Sequence, residues 1–179
     1  LHTPCDLLLQ IEAATLPGQS VGRQVVNYSG VQERNRVAAH DGIGERVWLH
    51  GAERLICHYQ SKATVDRPDV KLAGLQQTAL KDVPADAVQY LFASRYCPLH
   101  GFEDFIAGQF GRTQGGDLIS AMADWLHGNI RYLAGSSHEF TTALETYQNG
   151  KGVCRDYAHL LIAMARCVGI PARFVSVYS

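Results

Sequence analysis

Residues 150–178 decide the fold of this chain, with the sequence GKGVCRDYAHLLIAMARCVGIPARFVSVY. Apolar side chains recur there every three or four positions, which is the spacing of one buried helix face. The residues of this face are Tyr157, Leu160, Leu161, Met164, Ala165 and Val168. Gly169 and Pro171 are typical of a helix end. We therefore predict a helix that begins close to Cys154, followed by a β-strand over residues 172–178.

Cys154 is the main candidate for a reactive side chain. The glycine-rich residues 150–152 deliver this cysteine to the helix N-terminus. Unpaired N–H groups and the helix dipole favour an anion there, so we expect a lowered thiol pKa. The backbone N–H of Cys154 can also donate to an oxyanion, and Arg155 adds positive charge. Most free cysteines instead pack as small apolar residues, which is our interpretation of Cys57 and Cys167.

Apolar residues also recur with a helical period upstream of this stretch. Helices are predicted over residues 84–94, 102–110 and 117–133. The apolar face of the last helix consists of Ile119, Met122, Ala123, Leu126 and Ile130. Thr142 and Glu145 have the spacing of a capping box and predict a short helix that ends at Gly150.

The N-terminal third differs, because its apolar residues alternate with polar ones. Strands are predicted over residues 7–13 and 53–65. The buried face of the second strand consists of Leu55, Cys57, Tyr59, Ala63 and Val65, and the polar face of His58, Gln60, Lys62 and Thr64. Turn signals lie at Pro17-Gly18, Asp41-Gly42 and His50-Gly51.

These patterns predict an α+β protein with two domains. We expect an antiparallel β-domain over residues 1–67, a linker over residues 68–83 and a core over residues 84–179. The core is expected to combine helices with a partial antiparallel sheet.

Composition excludes several classes of function. The chain has 179 residues, 16 Lys and Arg against 17 Asp and Glu, and a net charge of -1, so it lacks the basic face of a nucleic-acid-binding protein. Its longest apolar runs are far too short to span a bilayer. Five cysteines at no ligand-like spacing and no visible targeting segment favour a reduced, cytoplasmic location. Cys97 and His100 alone are too few ligands for zinc, and we expect no metal or cofactor.

Several short motifs resemble the transglutaminase-like superfamily, particularly its bacterial members similar to cysteine proteases. The specific block is Gly-Val-Cys-Arg-Asp, Ala-His-Leu at 158–160 and Gly-Ile-Pro-Ala-Arg at 169–173. The resemblance extends to residues 94–97, 124–125, 129–132 and 141–142. It implies a transglutaminase- or papain-like core, with the N-terminal β-segment similar to the domain that precedes this core.

The resemblance also implies a catalytic mechanism. Cys154 maps to the nucleophile, whereas the His and Asp of the family, which follow on later strands, map to no residue of this sequence. His159 and Asp156 lie about 140° and about 200° around the helix from Cys154, so neither is expected to act as its base. His127 and His138 remain candidate bases. We therefore expect the chain as given to be inactive toward amides.

Two aromatic residues of the longest helix region have open roles. Trp125 and Tyr132 flank its apolar stripe. We interpret them as core or cleft-wall side chains, with the alternative that one of them lines a substrate groove.

Two functions remain open from the sequence. The first is a thiol acyl-transfer enzyme, a peptidase, amidase or transglutaminase, in which Cys154 attacks a protein or peptide substrate. The alternative is a binding or structural module that keeps the fold without the chemistry. In either case the edge of the predicted strand 172–178 is expected to lack a partner, and hence to pair with a second copy or to fray.

Overall fold

The computed structural model describes residues 4–39 and 43–178. The chain divides into two compact units, Leu1–Val70 and Lys71–Ser179. The first is built from strands and the second mainly from helices, so the α+β class is confirmed.

The first unit is a three-stranded antiparallel sheet. Its strands are β1 (Cys5–Leu9), β2 (Gln19–Ala38) and β3 (Glu45–Val65), and β3 lies between the other two. Leu49 of β3 is opposite Leu7 of β1 and is fully buried. The long β2–β3 pairing has register shifts around Val31.

The sequence predictions for this unit were correct in part. Residues 53–65 lie within β3, and exposure alternates from Arg54 to Ser61 as expected, although Ala63 and Val65 are exposed. The strand predicted over residues 7–13 ends at Leu9. Pro17-Gly18 lies in a tight turn that joins Leu16 to Gln19 by two backbone hydrogen bonds of 3.1 and 2.9 Å.

The structure differs from the sequence predictions for one turn and one strand of this unit. The predicted turn at His50-Gly51 is wrong, because both residues belong to β3, and a β-bulge next to them accounts for the local irregularity. The turn at Asp41-Gly42 lies outside the described residues. Strand β2 was not predicted, because most of its side chains are polar and exposed.

The second unit consists of helices joined by short strands and turns. Its helices are α1 (Ala85–Val88), α2 (Glu103–Phe110), α3 (Gly115–Asn129), α4 (Ala143–Asn149) and α5 (Cys154–Cys167). Single 3₁₀ turns span Leu80–Asp82 and Gln89–Leu91. Strands β4 (Arg131–Tyr132) and β5 (Lys151–Gly152) pair in parallel, so the antiparallel sheet expected in the core is not formed among the described residues of this unit.

Helix α5 is the centre of the second unit. Leu160, Ala163 and Met164 are fully buried, and the contacts of this helix are mainly with α3 and α4. The side chains from the rest of the unit that complete the core are Cys97, Phe102, Ile106, Leu118, Met122, Leu126, Ile130 and Ala143. The position of α5 in this core therefore fixes the orientation of its N-terminus.

The other helix predictions were correct in location and less so in length. Helix α3 ends at Asn129 rather than at 133 because the next residues turn into β4, and its most buried face is Leu118, Met122 and Leu126. The helix predicted over residues 84–94 is shorter, because it tightens into a 3₁₀ turn that ends before the extended Phe92. The capping box of Thr142 and Glu145 is confirmed.

The two segments that flank the helical core differ from expectation. Part of the predicted linker, residues 71–83, packs on the second unit: the side-chain amide of Gln77 donates to the Val168 carbonyl over 2.9 Å. The predicted strand over residues 172–178 does not form in the part of the chain that the structure describes. Instead, the backbone N–H of Ala172 donates to the Tyr90 carbonyl over 3.1 Å. None of the described helices is long and apolar enough to cross a membrane.

Candidate active site

The approach to Cys154 is fixed by a left-handed glycine and a short strand. Gly150 adopts left-handed φ and ψ angles of 60° and 25° and ends α4, a conformation that glycine adopts without a steric penalty. The carbonyls of Gly150 and Gly152 then accept the N–H groups of Arg131 and Leu133 over 2.9 and 3.0 Å. These bonds hold β5 against β4 immediately before the cysteine.

Gly152 is required by close packing at this point. A Cβ atom there would lie 2.8 Å from Cβ of Asp156 and 3.2 Å from Cγ2 of Thr146. The absence of a side chain therefore allows the start of α5 to pack tightly against α4.

Cys154 is the first residue of α5 and its side chain is exposed. Its Sγ atom forms no hydrogen bond with any described residue, and the backbone N–H groups of Cys154 and Arg155 likewise have no acceptor within residues 4–39 and 43–178. Unsatisfied N–H groups at a helix N-terminus attract negative charge. The structure thus places the predicted thiol and the predicted oxyanion donor at the same point.

Asp156 has a structural role next to this point. It is completely buried, and its Oδ2 atom accepts the backbone N–H of Val153 over 2.8 Å. A carboxylate at the third helical position that bonds back to the N-cap residue satisfies one of the free N–H groups of the helix start. Asp156 therefore fixes the residue that precedes Cys154.

The guanidinium of Arg155 is bound by groups other than the thiol. It lies 3.3 Å from Oδ1 of Asp156 and donates to the His138 carbonyl over 2.8 Å. The sequence alone indicates Arg155 only as a source of positive charge next to the cysteine. Its contact with His138 joins residues 17 positions apart, so no local pattern could have revealed it.

Other cysteines lie in different surroundings. Burial raises the pKa of Cys57, with the negative charge of Glu12 as a second cause. The pKa of Cys97 is raised by burial, and the pKa of Cys167 by burial and then by Glu103. A raised pKa favours the neutral thiol.

The three histidines weighed as bases, His127, His138 and His159, all lie in the described part of the chain and form no hydrogen bond with the thiol. His159 is stacked on Tyr96, with ring centroids 5.0 Å apart. Its pKa is lowered, first by burial and then by the charge of Arg155, while Asp156 opposes the shift. His138 uses Nδ1 to accept the N–H of Phe140 over 3.2 Å. His127 is exposed, and its ring centroid lies 6.2 Å from that of Tyr157.

The remaining candidates of the sequence analysis also have assigned positions. Trp125 packs against Phe105, with ring centroids 4.7 Å apart, whereas Tyr132 is 62% exposed. Cys97 is buried, and the His100 side chain is exposed near Glu103. Across the described ranges, no cluster of three or more His, Cys, Asp or Glu side chains could hold a metal ion.

Comparisons with known proteins place the region around Cys154 within a known superfamily. The model of the transglutaminase-like superfamily matches residues 105–179. The resemblance to this superfamily is thereby confirmed over residues 105–179, which lie within the second unit.

Two individual proteins are similar to this chain. The crystal structure of a "putative cysteine protease from Cytophaga hutchinsonii" superposes with a TM-score of 0.84 over 96% of the chain at 24% identity, and shows the same fold. An uncharacterized protein of Mycobacterium leprae is 35% identical over 60 residues, or 34% of the chain. The chain spans 61% of the solved protein and 22% of the mycobacterial one.

Proposed function

We propose that this protein is a thiol acyl-transfer enzyme and that Cys154 is its nucleophile. The observation that carries the proposal is the exposed sulfur at the first residue of α5, next to two backbone N–H groups with no acceptor among the described residues. The match of residues 105–179 to the transglutaminase-like superfamily and the similarity to a structure described as a cysteine protease support it.

The proposed reaction has two steps. The thiolate of Cys154 attacks the carbonyl carbon of an amide, a C–S bond forms, the C–N bond breaks, and the leaving amine takes up a proton from water. The N–H groups at the helix start stabilise the negative oxygen of the tetrahedral intermediate. The resulting thioester passes its acyl group to water, as in a peptidase or amidase, or to an amine, as in a transglutaminase.

Alkylation kinetics test the nucleophile. The chain is treated with iodoacetamide at neutral pH, once folded and once in denaturant, and each cysteine is followed by peptide mass spectrometry. We expect Cys154 to react about tenfold faster in the folded chain than in denaturant, because helix-terminal stabilisation of the thiolate exists only when folded. Cys57 and Cys167 should be slower when folded, because they are partly buried. The proposal would be contradicted if Cys154 were alkylated no faster in the folded chain than in denaturant.

An activated ester tests the acyl transfer itself. p-Nitrophenyl acetate needs no acid to protonate its leaving group, so an oxyanion site and a thiolate suffice. We expect release of p-nitrophenolate together with an acetyl group on Cys154, and neither in Cys154→Ala. Unactivated amides need a base for the thiol proton, and no described side chain hydrogen-bonds to Sγ. We therefore expect no amide hydrolysis by this chain alone.

One observation favours the second candidate, a binding module that keeps the fold without the chemistry. It is the same lack of a hydrogen-bonded base beside Cys154 within the described residues. A Cys154 that is neither acetylated nor faster when folded would support this alternative, in which the exposed thiol has no catalytic role.

A further inference from the structure

The guanidinium of Arg155 has no part in the acyl-transfer step, yet it connects two segments of the second unit. On one side, its Nε and Nη2 atoms lie 3.4 and 3.3 Å from Oδ1 of Asp156. On the other side, Nη2 lies 2.8 Å from the His138 carbonyl and 3.3 Å from Oγ of Ser137. A planar guanidinium can serve two acceptors in this way, whereas a lysine ammonium cannot hold the same fork geometry.

The side that faces α5 is tightly constrained. Asp156 is completely buried, and its second oxygen fixes the backbone N–H of Val153. A buried carboxylate is costly unless a cation and hydrogen bonds compensate it. Arg155 is the cation that pairs with this carboxylate among the described residues. Its position is therefore set by the same carboxylate that fixes the residue before Cys154.

The other side is a compact turn, residues 138–141. The His138 carbonyl accepts the N–H of Thr141 over 3.1 Å as well as the Arg155 guanidinium, and Oγ1 of Thr141 accepts the N–H of His138 over 3.0 Å. The turn presents Phe140, which is 56% exposed. The guanidinium carbon of Arg95 lies 5.2 Å from the centroid of this ring. The exposed ring of Phe140 thus belongs to a turn that is hydrogen-bonded to the residue after Cys154.

We propose that Arg155 is a positioning residue that holds the 138–141 turn beside the start of α5, and that this turn serves as a wall against which the acyl donor lies when Cys154 attacks it. Phe140 is the part of this wall that contacts an apolar side chain of the donor. The inference rests on the proposed function, because the wall serves the acyl group that Cys154 attacks.

Amide hydrogen exchange tests the link between Arg155 and the turn. We expect Arg155→Ala to speed exchange at His138 and Thr141 about tenfold, because a charge-assisted hydrogen bond to the turn is lost. The amides of Met122 and Leu126 in the core of α3 report global opening and should change less. Arg155→Lys keeps a charge for Asp156 and should show a smaller increase.

Two controls and one weaker variant accompany these substitutions. Arg112 is exposed and pairs with no residue that the structure describes, so Arg112→Ala should leave exchange unchanged. Ser137→Ala removes one acceptor of the guanidinium and should speed exchange slightly. Ser136→Ala should not, because Oγ of Ser136 has no hydrogen-bond partner in the described part of the chain.

A pair of alkylating agents tests whether the turn acts as a wall. The alkylation rate with iodoacetamide depends on the reactivity of the thiol alone. The rate with N-benzyl iodoacetamide depends also on contact of the benzyl group with a neighbouring apolar surface. We expect the ratio of benzyl to unsubstituted rates at Cys154 to fall about threefold in Arg155→Ala and in Phe140→Ala, which corresponds to losing a modest apolar contact. Loss of structure alone would change both rates together. Arg155→Lys should restore part of the ratio.

The outcomes separate the inference from the proposed function. The inference would be overturned if Arg155→Ala left amide exchange at His138 and Thr141 unchanged. It would also be overturned if exchange became faster but the ratio of the two alkylation rates at Cys154 did not change. If Arg155→Ala does not fold, the same two measurements on Arg155→Lys, and on Ser137→Ala compared with Ser136→Ala, decide whether the inference holds. The exchange measurement does not depend on thiol chemistry. Slow alkylation of Cys154 in the unmodified folded chain would therefore count against the proposed function. The exchange data would still show whether Arg155 holds the turn.

Discussion

Helix α5 begins at one cysteine and ends at another, and the two ends differ in what surrounds the sulfur. Cys154 is exposed at the N-terminus, beside N–H groups that attract negative charge. Cys167 is half-buried at the C-terminus, where burial and the charge of Glu103 raise its pKa. The same residue type in the same helix is therefore presented to an electrophile at one end and protected at the other. Position in the helix, more than the cysteine itself, selects the candidate nucleophile.

The polar contacts of the two ends differ in the same way. At the C-terminal end, the carbonyls of Ala165 and Arg166 accept the N–H groups of Ile170 and Gly169. The buried Arg166 side chain also donates to the carbonyls of Phe92 and Ala172. At the N-terminal end, Asp156 satisfies only the N–H of Val153. One end is closed by protein groups and the other keeps donors free for a ligand. Substitutions at one end of α5 should therefore change the alkylation of the cysteine at that end and leave the other cysteine unaffected.

Tryptophan fluorescence allows the effect of a variant at either end of α5 to be measured on the stability of the second unit alone. The chain has two tryptophans, Trp48 in the first unit and Trp125 in the second. A Trp48→Phe background leaves Trp125 as the reporter, so that urea unfolding gives the free energy of unfolding of the second unit.

The largest effect is expected from Arg166→Met at the closed end. The change leaves the partly buried carbonyls of Phe92 and Ala172 without their charged donor, and a lost hydrogen bond to a charged group costs about 1.5–3 kcal/mol. We expect a loss of about 3 kcal/mol in the free energy of unfolding, together with faster alkylation of Cys167. Arg112→Met, at an exposed position, is the matched control and should change neither. An equal acceleration at Cys154 would contradict the independence of the two ends.

The next effect is expected from Asp156→Ala at the open end. The variant loses the carboxylate that bonds to Val153 and leaves a small cavity, so the free energy of unfolding should fall by about 2 kcal/mol. Alkylation of Cys154 in the folded chain should also slow toward its rate in denaturant, because the first turn of α5 becomes less ordered. Alkylation of Cys167 is the internal control. Unchanged Cys154 kinetics would mean that this cap does not maintain the helix start.

The contrast between the ends also explains what the sequence could predict. The start of α5 at Cys154 and its end near Gly169 follow from an apolar period and from glycines, which are local signals. The capping box at Thr142 is equally local. The tie between Arg155 and His138 depends on folding that brings distant residues together, and the same is true of the pairing of β2 with β3. Strand β2 has mostly exposed polar side chains, so its sequence carried little periodic signal.

The predicted strand over residues 172–178 shows a further limit of local patterns. Alternating apolar residues permit a strand, but a strand forms only when another segment supplies its hydrogen bonds. Among the described residues, Ala172 is bound instead to Tyr90 and Arg166. Self-pairing through this segment remains a prediction, which measurement of the molar mass in solution would test.

A smaller effect is expected upstream of the open end, from Thr142→Ala. Oγ1 of Thr142 accepts the N–H of Glu145 over 3.3 Å, and the Glu145 carboxylate accepts the N–H of Thr142 over 2.7 Å. Loss of a capping side chain costs about 1 kcal/mol. Thr142→Ser retains the hydroxyl and should restore most of this loss. A cost as large as that of Asp156→Ala would mean that α4, and not the start of α5, controls the stability of the open end.

The last and smallest effect concerns pH and the buried ring of His159, which lies on α5 between its two ends. The ring contacts Tyr96 and Phe174, its Nδ1 atom has no hydrogen-bond partner among the described residues, and its pKa is lowered by burial and by Arg155, against Asp156. As pH falls below the ordinary histidine pKa of about 6.5, the unfolded chain gains a proton that the folded chain resists. The free energy of unfolding should therefore decrease as pH falls from about 6.5 toward the lowered pKa of the folded state.

The variant His159→Phe isolates this contribution, because Phe can occupy the stack on Tyr96 without taking up a proton. We expect the loss of stability between about pH 7.5 and about pH 5.5 to be smaller in the variant than in the parent, since only the parent has this group to protonate. Other histidines titrate equally in both proteins and cancel in the difference. Should both proteins lose the same stability over this range, protonation of His159 would not be coupled to folding. The pH dependence would then have to come from groups away from the middle of α5.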